Sequence, residues 1–121
     1  PVEIQCVLKR LKAAMPSGGR LIAVIQPHRL SRVNAFLSEF STCFTDADII
    51  IIPPIYTPHE SDAVYKTVFR RLQACITHPV LYYAIDAIPD YLQPRLRPGD
   101  WVVTLGAGSV SQVAHALAAR L

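Results

Sequence analysis

Four isoleucines in succession, Ile49 to Ile52, do more than any other feature to limit what this chain can become. Their β-branched side chains favour extended backbone. Their lack of alternation means that both faces of the strand must be buried, as in a parallel sheet covered on each side. Two further runs share this character: Arg20-Leu21-Ile22-Ala23-Val24-Ile25 and Val80-Leu81-Tyr82-Tyr83-Ala84-Ile85. A fourth strand is expected over Trp101-Val102-Val103-Thr104-Leu105.

Helical periodicity fills the intervals. Ile4, Val7, Leu8, Leu11 and Met15 recur at i, i+3, i+4 and i+7, which predicts an amphipathic helix over 1–15, closed by Pro16-Ser17-Gly18-Gly19. A second helix is expected from an N-cap at Ser31, with Val33, Phe36, Leu37 and Phe40 inward. A third covers 62–76 on a stripe of Val64, Val68, Leu72 and Ile76. A short one follows over 86–93, ending before Pro94, and a last one carries Val113 and Leu117. Alternating strands and helices predict a Rossmann-like α/β fold: an open, mostly parallel sheet with helices on both faces, three layers in all. At 121 residues this is a single domain, residues 1–121.

Composition narrows the function classes. Apolar residues make up 51% and charged residues 17%, which excludes a disordered tail. Twelve Lys and Arg against nine Asp and Glu leave +3, scattered except at Arg29 and Arg32, so no nucleic-acid partner is expected. The longest apolar stretch, Ile49 to Ile55, is broken by Pro53 and Pro54 and falls far short of the ~20 residues of a membrane span. With no signal peptide in view either, no membrane partner is expected. Cys6, Cys43 and Cys75 are odd in number and far apart, and each lies in a segment read as helical. They read as buried free thiols of a cytoplasmic protein, with no metal spacing among them. The chain opens at Pro1, without Met, as expected of an excised or processed piece of a longer protein.

In open α/β sheets, ligands bind beyond the carboxyl ends of the strands. Three loops leave such ends here. Gln26-Pro27-His28-Arg29-Leu30-Ser31-Arg32 places a histidine and two arginines at the start of a helix, whose dipole favours an anion. Arg29 and Arg32 share a face there and could grip a carboxylate or phosphate together, or simply form a solvated basic turn. Gly106-Ala107-Gly108-Ser109 lets backbone N–H groups come close to a ligand, although a tight strand-to-helix turn needs the same glycines. The loop of Pro53 to Glu60 brings Tyr56, His59 and Glu60 towards the same crevice, while His78 and His115 read as structural. No GxxxxGK[ST] phosphate loop and no Ser/His/Asp set is present, so no catalytic residue is assigned within the chain.

The segment Gly19-Arg20-Leu21-Ile22-Ala23-Val24-Ile25-Gln26-Pro27-His28-Arg29-Leu30-Ser31-Arg32 closely resembles the C-terminal domain of the Mur ligases, and among these the branch that joins L-alanine to UDP-N-acetylmuramate. The likeness continues through Pro1-Val2-Glu3-Ile4, Phe44-Thr45-Asp46-Ala47-Asp48, Pro98-Gly99-Asp100 and Leu105-Gly106-Ala107-Gly108. It implies a three-domain cytoplasmic ligase of peptidoglycan-precursor synthesis. In such an enzyme ATP and Mg2+ are held mainly by a central domain, the UDP-sugar by a first domain, and the third domain closes over them. By this resemblance His28, Arg32 and Arg29 would bind the alanine carboxylate; Tyr56, Gly106, Gly108 and Ser109 are expected to line the crevice from their place in the loops at the strand ends. Leu30 stands where the family has tyrosine, the 54–60 loop lacks the family's aspartate and glycine, and Ser109 replaces an acidic or amide residue. Two other readings stay open: a non-catalytic α/β module for a small anion or nucleotide, and a sister Mur ligase with another amino-acid substrate.

Overall fold

The computed structural model describes residues 2–26, 42–53, 80–82, 85–106 and 110–120, together with Thr67, Arg70, Arg71, Gln73 and Ala74. Helix α1 (Val2–Ala14) leads to strand β1 (Leu21–Ile25), β2 (Ile49–Ile52) and β3 (Val80–Tyr82). A 3-10 turn (Ile85–Ala87), helix α2 (Ile88–Leu92) and a second 3-10 turn (Gln93–Arg95) precede β4 (Trp101–Leu105) and helix α3 (Ser111–Arg120). The four strands form one sheet in the order β3-β2-β1-β4, and every pairing is parallel.

The period of two along the strands divides the interior into two cores. Leu21, Ala23 and Ile25 of β1 join Ile50 and Ile52 of β2 on one face, where Leu8 of α1, Cys43, Phe44 and Ala47 cover them. Ile22 and Val24 join Ile51 on the other face, under Ile88 and Leu92 of α2 and Val110, Val113 and Leu117 at α3. Helices therefore lie on both faces, and β1 is buried along its whole length, as the unalternating run requires.

The amino ends of the strands are tied by side chains. Asp48 N donates to Leu21 O at 2.8 Å, and Leu21 N donates to Asp48 Oδ2 at 2.7 Å. The same Oδ2 accepts from Lys12 Nζ at 2.8 Å, which fastens α1 to the sheet. Arg20 grips Asp100 with two donors, Nη2 to Oδ2 at 2.6 Å and Nε to Oδ1 at 3.1 Å. Gly19 passes so close to the Gly99 carbonyl that a Cβ on Gly19 would collide with it.

Four expectations need correction. Val7 is 38% exposed, because α1 rests on one face of a narrow sheet and only the Ile4, Leu8, Leu11, Met15 stripe turns inward. Cys6 is exposed, whereas Cys43 is buried as expected. Ile85 begins a 3-10 turn instead of ending β3, which lets Ile88 and Leu92 reach the second core. Pro94 sits inside the second 3-10 turn, near whose start a missing N–H costs nothing. Thr67, Arg70, Arg71, Gln73 and Ala74 are helical and exposed, the outer side of the third expected helix. The second expected helix, Val64, Val68, Leu72, Ile76 and Cys75 lie outside the described residues.

Candidate functional site

The strand order locates the site. From β1 the chain moves to β2 and then β3 on one side, and β4 returns to the other side of β1. Connections that leave two adjacent strands in opposite directions open a crevice between them, and this is where open α/β sheets take ligands. Here the switch lies between β1 and β4, whose carboxyl ends are level: Ile25 is in register with Leu105. The two loops singled out in the sequence, after Ile25 and after Leu105, leave from its two sides.

Gln26 and Gly106 form the floor where these loops begin. Gln26 N donates to Leu105 O at 2.9 Å, extending the ladder one residue past β1. Gly106 adopts φ +138, and a Cβ there would lie 2.7 Å from Gln26 O. Only glycine fits both the conformation and the space. Gly106 thus serves the tight turn and the close approach of two backbones. The Gln26 side chain was not singled out in the sequence, and its Oε1 is buried with no hydrogen-bond partner. A glutamine between a strand and a proline carries no signal that could have marked it.

His28, Arg29, Arg32, Tyr56, Gly108 and Ser109 lie outside the described residues, as do His59, Glu60 and His78. His115 is exposed on α3. Among the described residues no group of three or more His, Cys, Asp or Glu comes together to hold a metal ion. No helix among them is long and apolar enough to cross a membrane.

Comparison with known proteins shows what this geometry is similar to. A solved domain assigned to a UDP-N-acetylmuramate:L-alanyl-γ-D-glutamyl-diaminopimelate ligase of Haemophilus ducreyi superposes with a TM-score of 0.70. The superposition covers 99% of this chain and 82% of that one, and at 19% identity it speaks to the fold alone. No protein-family model matches the chain. The UDP-N-acetylmuramate–L-alanine ligase of Xanthobacter autotrophicus is 40% identical over 127 aligned residues, and that of Rhodospirillum centenum 39% over 127. Each alignment takes in 100% of this chain and 26% of the relative, its C-terminal part. Its sequence and fold match those of a Mur ligase C-terminal domain.

The chain spans about a quarter of the length of these relatives. It has the α/β fold expected from its strand runs, now with a defined strand order. The QPHR segment of the domain begins at Gln26, directly on the β1 side of the switch point.

Proposed function

We propose that this chain is the closing, amino-acid-binding domain of a UDP-N-acetylmuramate–L-alanine ligase, a cytoplasmic enzyme that joins L-alanine to the muramate carboxylate at the expense of ATP. The carrying observation is the match along the whole chain, at 40% identity, to the C-terminal quarter of a ligase of that name. The strand order supports it: β1, which His28, Arg29 and Arg32 follow in sequence, borders the switch point.

The described residues offer Mg2+ no cage, and the sequence has no phosphate loop. In this proposal ATP and Mg2+ are held mainly by a central domain, and UDP-N-acetylmuramate by a first domain, both outside this chain. What the chain supplies is position. His28, Arg29 and Arg32 hold the alanine carboxylate, the two guanidiniums pairing with it as charge-assisted donors. Gln26 and Gly106 fix where that loop leaves the sheet. Holding the carboxylate orients the amine towards the activated muramate carboxyl and removes part of the entropic barrier to their encounter.

The test is amino-acid-dependent phosphate release by the full-length ligase, given ATP, Mg2+ and UDP-N-acetylmuramate. L-alanine is expected to support release far better than glycine or L-serine. Arg32→Ala should raise KM for L-alanine by about thirtyfold or more, the loss of ~2 kcal/mol from an unpaired bound carboxylate, with KM for ATP nearly unchanged. Unaltered alanine kinetics in that variant would remove the site assignment. If no amino acid supports release, the likeness is one of fold alone, and a non-catalytic anion or nucleotide module is favoured.

A further inference from the structure

A second cleft, of about 430 Å3, opens on the sheet face covered by α2, at the amino ends of β1 and β2. It is separated from the switch-point crevice by the length of β1, five residues or about 16 Å at ~3.3 Å per residue. Its walls are of two kinds. Half-buried Ile49 and Leu96 give it an apolar side, with Ile22 and Leu92 buried beneath, and Arg20, Arg95 and Arg97 stand around it, with no acidic residue among the described lining residues.

The three guanidiniums are not equivalent. Arg20 is neutralised by Asp100, whose Oδ2 also accepts from Arg97 N at 2.9 Å. That leaves the charges of Arg95 and Arg97. Arg95 is held in place: its Cζ lies 4.0 Å from the Tyr91 ring centroid, and its Nη1 donates to Tyr91 O at 2.7 Å. Stacking on an aromatic ring keeps a guanidinium rigid while its charge remains unpaired. Arg97 is exposed, and no carboxylate forms an ion pair with it among the described residues. A cleft that sets a half-buried apolar side against guanidiniums with no carboxylate partner among the described residues suits a small amphipathic anion.

We infer that this cleft is a ligand site of the domain for a small anion with a flat or branched apolar body. The apolar part lies on Ile49 and Leu96, and the sulfonate, carboxylate or phosphate meets Arg95 and Arg97.

The probe is 1-anilinonaphthalene-8-sulfonate, titrated into this chain and followed by backbone amide NMR shifts. One saturable site is expected, with shifts centred on Arg20 to Ile22, Ile49 and Tyr91 to Arg97. Arg97→Glu should weaken binding at least tenfold, and so should replacing the probe with uncharged N-phenyl-1-naphthylamine. Arg120→Glu, a charge reversal on α3, should leave the affinity unchanged. Non-saturable binding, shifts centred on Gln26 and Gly106, or an affinity indifferent to Arg97→Glu would each overturn the proposal. None of these results depends on the ligase reading, which is tested by phosphate release.

Discussion

Arg20 and Asp100 meet as a fork on a carboxylate across the amino ends of β1 and β4, with Asp100 only 4% exposed. Eighty residues apart in sequence, they close the sheet at the end opposite the crevice. The Arg20 guanidinium, aided by the Arg97 N–H, holds the Asp100 carboxyl below the usual carboxylate range against the opposing effect of burial. A carboxylate depressed in the folded state contributes stability that is present above its unfolded pKa of about 4, and is lost as pH falls through the folded value. Asp100→Asn should therefore cost about 2 kcal/mol at pH 7. The gap between variant and parent should close as urea unfolding is repeated at pH 4, 3 and 2.

Neighbours on α1 should behave differently. Leu8 is wholly buried in the first core and Val7 is 38% exposed. Leu8→Ala is expected to cost about 2–5 kcal/mol, the transfer and cavity terms together. Val7→Ala should stay within about 1 kcal/mol. Chemical denaturation of the two variants side by side checks the difference.

Two glycines with positive φ offer a matched comparison. Gly18 has φ +91 and open space where a Cβ would go, so Gly18→Ala should cost about 1 kcal/mol for the conformation alone. Gly106→Ala adds a collision with the Gln26 carbonyl and should cost at least twice as much. In the full-length ligase it should also depress turnover, since it displaces the start of the His28 loop. Thermal unfolding and phosphate release measure the two effects separately.

The thiols should separate cleanly in a Cys75→Ser background. Burial pushes Cys43 up to about 11, whereas Cys6 is exposed on α1. Because the thiolate is the reacting species, iodoacetamide at pH 8 should label Cys6 readily and reach Cys43 only under unfolding conditions. Mass spectrometry of the labelled peptides distinguishes them.

The strands were legible because their signal is local. Leu21 to Ile25 and Trp101 to Leu105 are short runs of β-branched and apolar residues, and both strands fall where those runs do. Ile85 misled because an apolar residue next to a strand looks like more strand, while its conformation is set by the need of Ile88 and Leu92 for the second core. Val7 misled because helical spacing gives an inward side but not its width. The strand order was not legible at all, since the pairing of β1 with β4 depends on residues far apart in sequence. Of the candidate crevice, Gly106 was singled out for its conformational freedom, but the partner that demands it, the Gln26 carbonyl, was visible only in three dimensions.

The place of β4 beside β1 also bears on how the domain comes into being. β1 pairs with β2 fewer than thirty residues downstream, but its other flank waits for a strand some eighty residues downstream. Closing a loop of that length costs entropy before any contact repays it, and such non-local pairings slow folding. On a ribosome, β1, β2 and β3 would emerge first, with the β1 flank bare until Trp101 to Leu105 arrives. The crevice is then the last part of the domain to exist, and a chain cut short before β4 would have three of its strands and no switch point.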